Sequence, residues 1–199
     1  YVAVVGGAKI STKTAPLAAL LERVELMLIG GGMANTMLLA QGRSVGRSLV
    51  EQEMLETATA VLRRASERGV SIELPTDVVV ADAIASPARV EVVAAGAVPA
   101  DMMIVDIGPA TQQRFAAAIA GARTVFWNGP MGVFETAEFA AGTMAVARAL
   151  AASKAFTVVG GGESVMAVHR AGVAGAIGHV STGGGASLEF NTGKVLPAL

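Results

Sequence analysis

Phe156–Phe190 reads FTVVGGGESVMAVHRAGVAGAIGHVSTGGGASLEF, and its internal repetition decides the fold class. Twice a short β-branched run, FTVV and then HVST, opens into three glycines. Twice the glycines lead into a helical pattern, at Ser164–Val168 and at Ala186–Phe190. A strand that ends in glycines and turns into a helix start makes an anion site. The first-turn N–H groups point outward, and the helix carries roughly half a positive charge at that end. Glycine also lets a ligand approach backbone where a Cβ would collide. One triplet could be no more than a tight βα turn. Its recurrence at Gly160–Gly162 and Gly183–Gly185, with Gly30–Gly32 and the pair Gly6-Gly7 upstream, favours a ligand-binding rim.

Outward from this stretch the same theme recurs. YVAVV (1–5) and ELMLI (25–29) are apolar runs of strand length, each closed by glycines, and MMIVDI (102–107) is a third run ending at Gly108. Further strands are expected at Val70–Leu74, Asp77–Ala81 and Thr124–Trp127. Helical spacing is expected over Pro16–Val24, Met33–Ala40, Leu49–Arg68, Thr111–Ala120 and Thr136–Ala152. Ala83–Ala100, with turns at Pro87 and Pro99 and a small strand VEVVA, reads as an excursion from the main sheet. Strands alternating with helices predict a single α/β domain: an open parallel sheet with helices on both faces, three-layer and Rossmann-like.

Composition agrees. A chain of 199 residues can bury on the order of 70% of its unfolded surface in one core. Apolar residues make up 53%, yet no uninterrupted run reaches the roughly 18 residues of a membrane span, which suits a parallel sheet buried on both faces. A net charge of −1 provides no overall field for nucleic acid or an anionic membrane. The absence of Cys excludes disulfides and thiolate metal sites and is compatible with a cytoplasmic location. Tyr1 already lies in a strand pattern without a secretory leader, which reads as a chain cut at a domain boundary.

In open α/β sheets ligands sit beyond the carboxyl ends of the strands. Gly6-Gly7, Gly30–Gly32, Asp106-Ile107-Gly108, Asn128-Gly129, Gly160–Gly162 and Thr182–Gly185 all fall at such ends and should share one rim. Two of the four lysines, Lys9 and Lys13, follow the first glycine pair. An ammonium is a mobile point charge suited to a phosphoryl group, although a solvated pair would have the same spacing. Glu163, directly after a glycine triplet, could hold Mg²⁺ against phosphate oxygens or could be an ordinary acid in a helix first turn. Asp82, Asp106 and Glu135 are the other strand-end carboxylates. His169 and His179 have no partner at metal or catalytic spacing and read as structural. Neither G-x-x-x-x-G-K-[ST] nor G-x-G-x-x-G occurs, which argues against a P-loop enzyme and a standard dinucleotide fold.

GGAKISTK (6–13), IGGGMANT (29–36), LPTDVVVAD (74–82), VDIGP (105–109), VFWNGPMGVFE (125–135), VVGGGESVMAV (158–168) and HVSTGGGASLEF (179–190) together resemble the C-terminal domain of phosphoglycerate kinase, nearly end to end and in order. The resemblance implies that residues 1–199 are the nucleotide-binding domain, acting with Mg²⁺ and ADP or ATP. The N-terminal domain, which holds 3-phosphoglycerate or 1,3-bisphosphoglycerate, would be absent from this chain. It implies a cytoplasmic glycolytic enzyme, monomeric, with no nucleic-acid or membrane partner. By the same resemblance Lys9, Lys13, Gly162 and Gly185 are catalytic. Gly6, Gly7, Gly30, Gly31, Gly32 and Val105 form the adenine slot. Glu135 bonds the ribose, with Asn128 and Pro130 on that side, and Gly160, Gly161, Gly162, Glu163 and Ser164 carry the phosphates and the metal. Glu163 stands where the family usually has Asp, which lengthens the reach toward Mg²⁺ by about one bond. Two other readings stay open: an S-adenosylmethionine methyltransferase, suggested by VDIG alone, and a nucleotide-binding domain without catalytic activity.

Overall fold

The structure, a computed structural model, describes residues 1–181 and Gly183. Strand β1 (Val2–Val5) is buried along its whole length, and its side chains alternate between two cores. Val2 and Val4 join one hydrophobic cluster, while Ala3 and Val5 join the other. This is the pattern of a strand with neighbours on both edges and helices on both faces.

β1 is flanked by β2 (Leu26–Ile29) and, across the sequence, by β9 (Thr124–Asn128). The sheet continues through β4 (Ser71–Glu73) beyond β2, and through β10 (Phe156–Gly160) and β11 (His179–Ser181) beyond β9. The order is β11-β10-β9-β1-β2-β4, and every pairing is parallel. The chain therefore starts in the middle, winds outward to β4, returns to the other side of β1, and winds outward again. Such a reversal opens a crevice at the carboxyl ends of the two middle strands, β1 and β9. Helices α1 (Thr14–Leu20), α2 (Gly31–Ala40) and α3 (Leu55–Glu67) cover one face, through Leu17, Leu20, Met33, Met37, Ala58 and Val61. Helices α4 (Pro109–Ala120), α5 (Ala141–Ala152) and α6 (Gly162–Arg170) cover the other, through Phe115, Ile119, Val146, Leu150 and Val168. The expected three-layer α/β architecture is present. No helix among the described residues is long and apolar enough to cross a membrane.

The sequence reading needs correction between β4 and β9. Strands β5 (Asp77–Ala81), β6 (Val90–Ala94) and β8 (Met103–Ile107) form a separate antiparallel sheet in the order β6-β5-β8. A short pair, β3 (Ser44–Val45) with β7 (Ala97–Val98), lies outside both sheets. The MMIVDI run thus does not return to the main sheet. A continuous apolar run indicates burial but not which neighbour buries it. Asp106 and Gly108 accordingly lie at the end of an antiparallel strand, not on the rim of the parallel one.

Two helix starts also shift. Leu49–Glu51 stays outside the helix; a 3-10 turn (Gln52–Met54) precedes α3. The side chains of Asn35 and Thr36 hold this segment through Leu49 O (3.3 Å) and Glu51 N (3.1 Å). Likewise Ala137–Phe139 is a 3-10 turn ahead of α5, with Phe139 buried. The expected helix at Ala186–Phe190 lies outside the described residues.

Candidate functional site

Lys13 ends a 3-10 turn (Ser11–Lys13) that leads into α1, and its side chain turns back to the crevice. Lys13 Nζ donates to Gly6 O at 2.6 Å, to Asn128 Oδ1 at 2.7 Å and to Asn128 O at 3.3 Å. Those acceptors are the carboxyl ends of β1 and β9, so the ammonium sits at the point where the strand order reverses. Asn128 Nδ2 donates in turn to Gly160 O at 2.7 Å, and Gly129 N donates to Ser164 Oγ at 2.6 Å. One polar chain therefore joins β1, β9, β10 and α6. Burial lowers the Lys13 pKa to about 8, and the negative charge of Glu163 opposes part of that fall. Lys9 is exposed to solvent. The expected pair divides into one inward and one outward cation.

The glycines divide as well. A Cβ on Gly31, whose φ is +68°, would lie 2.6 Å from Gly7 O, and one on Gly32 would lie 2.5 Å from Ala8 O. Gly31 N donates to Met131 O at 2.9 Å and Met33 N to Gly7 O at 3.1 Å. Gly30–Gly32 thus packs backbone against backbone, and protein carbonyls already use N–H groups at the start of α2. It makes a wall, not an anion site. Gly162 is different. Its Cβ would meet nothing within 4 Å, and its backbone lies outside the left-handed region. Packing does not require glycine there. Gly161 (φ +98°) is the N-cap of α6, and among the described residues nothing packs on the start of this helix at Gly162.

A slot lies between the rim of the parallel sheet and the antiparallel sheet. Gly7, Ala8, Gly31, Gly32 and Asn35 line one wall and Ile104, Val105 and Asp106 the other. Pro130–Val133 closes the space between them, and Leu49, Glu135 and Glu163 stand with them around it. Val105 is buried, whereas Glu135 and Glu163 are exposed. The loop before Glu135 is anchored by Val133 N to Val105 O (2.8 Å) and by Arg170 Nη1 to Phe134 O (2.7 Å). Gly6, Lys13, Asn128 and Gly160–Gly162 lie along the strand ends beside the slot rather than in its lining. Gly185 lies outside the described residues. The structure thus brings the remaining sequence-read residues to one rim, Lys9 at its solvent edge.

Asp106 does not face a ligand. It is 1% exposed, and its carboxylate accepts from Gly142 N (2.6 Å) and Ile107 N (2.8 Å), which fixes the start of α5 to β8. Burial pushes its pKa up to about 7 against the pull of those two donors. VDIG is therefore an internal clamp, which removes the one feature that suggested a methyltransferase. Among the described residues no three His, Asp or Glu side chains gather at a metal-binding distance. A single exposed carboxylate at a helix start, Glu163, still suits Mg²⁺, which usually takes one or two protein carboxylates and fills its shell with phosphate and water.

The sequence model of the phosphoglycerate kinase family matches residues 1–194. The chain belongs to this family. It is 54% identical over 199 residues to phosphoglycerate kinase of Moorella thermoacetica, covering all of this chain and 51% of the relative. It is 56% identical over 200 residues to that of Frankia casuarinae, covering all of this chain and 49% of the relative. The solved structure of phosphoglycerate kinase from Coxiella burnetii superposes with a TM-score of 0.94 at 46% identity, over 98% of this chain and 50% of that one. The enzyme from Pyrococcus horikoshii gives 0.83 at 34% identity with the same coverage. The chain spans about half the length of the curated relatives it matches.

Sequence reasoning did not find Ile104, Asn35 and Leu49 as parts of the slot, nor the buried carboxylate of Glu51 as a clamp, whereas a backbone-bonding role for Asp106 was open to it. Each acquires its place from a contact distant in sequence, and no local spacing announces it.

Proposed function

We propose that residues 1–199 are the nucleotide-binding half of a phosphoglycerate kinase, which moves a phosphoryl group between the acyl phosphate of 1,3-bisphosphoglycerate and ADP. The observation that carries this reading is the Lys13 ammonium at the strand-order reversal, between a mostly apolar slot and the open start of α6. Those three parts match the three parts of a nucleoside polyphosphate. The base enters between Gly31–Gly32 and Val105, and Glu135 bonds the ribose near Pro130. The phosphates run over Gly160–Ser164, where α6 offers its first N–H groups and partial positive charge. Lys13 then faces the phosphate chain from beneath, and Lys9 can approach from solvent. Glu163 is the residue of this chain that would hold Mg²⁺, which would neutralise part of the phosphate charge.

Phosphoryl transfer depends on positioning and charge stabilisation more than on covalent chemistry from the protein. This half supplies the nucleotide side of both. The phosphoglycerate side belongs to residues that the family carries outside this stretch, so the isolated chain binds Mg-ADP without turnover. Calorimetry of the 199-residue chain with ADP and Mg²⁺ tests the reading. Saturable one-to-one binding supports it, and a folded chain without affinity for ADP or ATP refutes it. The domain without activity has no observation of its own in its favour, because the lysine and the open helix start are both intact.

A further inference from the structure

Glu51 has no place in the slot, yet it is the acidic side chain most deeply engaged with the lysine-bearing loop. It is 7% exposed. Its carboxylate accepts from Ser11 N at 3.0 Å and from Ser11 Oγ at 2.5 Å. Burial disfavours its charge, but these bonds, a further one from Ile10 N–H and the nearby Lys9 charge outweigh burial and hold the carboxyl below its ordinary range. Ile10, Ser11 and Thr12 are the whole link between Lys9 and Lys13. The carboxylate therefore caps the turn whose last residue is Lys13, and Ile10 beneath it is fully buried.

Glu51 is itself held from the glycine rim. Its backbone N–H donates to Thr36 Oγ1 at 3.1 Å, and that hydroxyl donates to Gly32 O at 3.3 Å. Two residues earlier, Leu49 O accepts from Asn35 Nδ2. The start of α2, the 49–51 segment and the lysine loop thus form one hydrogen-bonded unit, which spans the slot wall and the phosphate side of the crevice. An extended 49–51 segment, rather than the helix its sequence suggests, is what lets the carboxylate reach Ser11.

We propose that Glu51 is a positioning residue, which sets the lysine loop so that Lys13 reaches the crevice floor when the polyphosphate arrives. The proposal rests on the nucleotide reading given above. A carboxylate is required because all its bonds in this cluster come from donors. In Glu51→Gln the amide oxygen can keep the Ser11 N–H, but the Ser11 hydroxyl must reverse to accept from the amide N–H, and the negative charge that holds the turn is lost. In Glu51→Ala the turn loses its cap altogether.

Titrate the chain with adenosine, ADP and ATP by calorimetry, for wild type, Glu51→Gln, Ser11→Ala and Glu51→Asp. In parallel, label the lysines with ¹³C and follow each Cε signal against pH; only four are present. For Glu51→Gln, adenosine affinity should stay within about twofold while ATP affinity falls about tenfold, the size of one charge-assisted contact. The Lys13 signal should titrate nearer the ordinary lysine range, because the amine leaves its buried position for water. Ser11→Ala, which keeps the backbone bond, should give a smaller change in the same direction, and Glu51→Asp a partial one. Equal losses for adenosine and ATP, or a Lys13 titration unchanged in a folded Glu51→Gln protein, would overturn the positioning role. If Glu51→Gln does not fold, Ser11→Ala carries the same comparison. A wild-type chain that binds none of the three ligands refutes the nucleotide reading instead, and the two failures are therefore distinct.

Discussion

Removing the ammonium of Lys13 should separate stability from binding. In Lys13→Met the folded chain no longer buries a cation, and burial is what lowers that pKa from 10.5 to about 8. A shift of that size corresponds to about 3 kcal/mol disfavouring the charged form in the folded state. Against this relief, Gly6 O and Asn128 Oδ1 each lose a donor, at about 1–3 kcal/mol for a buried acceptor left without one. The two effects nearly offset each other, so the Tm of Lys13→Met at neutral pH should stay within a few degrees of wild type. Binding should not. Above the free pKa most of the amine is neutral, and a polyphosphate beside it restores the proton. At about pH 8.5 a group with a pKa near 8 is roughly one-quarter protonated, so ATP binding should take up about 0.7 proton if the bound pKa returns to its ordinary value. Calorimetry in buffers of different ionisation enthalpy measures this uptake directly. Wild type should show it near pH 8.5 and lose most of it near pH 6.5, and Lys13→Met should lack it at both. An identical uptake in the variant, or none in wild type despite tight ATP binding, would remove Lys13 from the phosphate site. The sign also fixes the ligand-free behaviour. A lysine pKa lowered by folding makes wild-type stability rise as pH climbs from about 8 to about 10.5, and Lys13→Met should lose that rise.

Gly162→Ala should leave the Tm unchanged, since its Cβ meets nothing, but should weaken ADP binding; Gly31→Ala should lower the Tm because φ is +68° and Gly7 O lies 2.6 Å from the new Cβ. Thermal melts beside ADP titrations separate the two. Glu163→Asp should tighten Mg-ADP binding while leaving Mg-free ADP binding as it was, measured by titration with Mg²⁺ and with a chelator. Asp106 has a folded pKa raised to about 7, so the stability it contributes is complete below its unfolded pKa near 4 and is lost as pH rises through 7. Denaturant unfolding should therefore show wild type falling relative to Asp106→Asn between about pH 4 and pH 7.

The parallel sheet was legible because its strands announce themselves twice, as apolar runs and by the glycines that end them. YVAVV, ELMLI, TVFW and FTVV all became neighbours in the sheet, as alternation with helices requires. MMIVDI carries the same signature and went elsewhere. Its partner is Asp77–Ala81, and antiparallel pairing across an excursion leaves no mark that a run of Met, Ile and Val could show. Much the same limit applies to the site. Lys13 and the start of α6 were readable from residue type beside glycine. The wall at Ile104–Asp106 was not, because it depends on where the second sheet docks. Leu49–Glu51 looked helical by composition, but Asn35 and Thr36 hold its backbone in competition with the helix ladder, and only the folded chain brings them there.

Internal capping at the helix starts around the crevice bears on which of the three described glycine runs is left for an anion. At α2, carbonyls of Met131 and Gly7 accept from Gly31 and Met33. At α4, the Asp77 carboxylate accepts from Ala110 and Thr111, and at α5 the Asp106 carboxylate accepts from Gly142. The turn before α1 has Glu51. Each of these helices has its leading positive charge answered from within the protein. At α6 the N-cap Gly161 N–H goes to Ser181 O at 3.1 Å, but no carboxylate among the described residues accepts from the first turn; Ser164, its buried polar group, uses its hydroxyl to accept from Gly129 and so faces the sheet. A ligand anion placed anywhere else on the rim would have to displace a carboxylate or a carbonyl. Placed at α6 it meets no such carboxylate among the described residues, and Lys13 lies within the same hydrogen-bonded floor. The proposed phosphate position thus rests on internal capping at the neighbouring helices as much as on the glycines at the site itself.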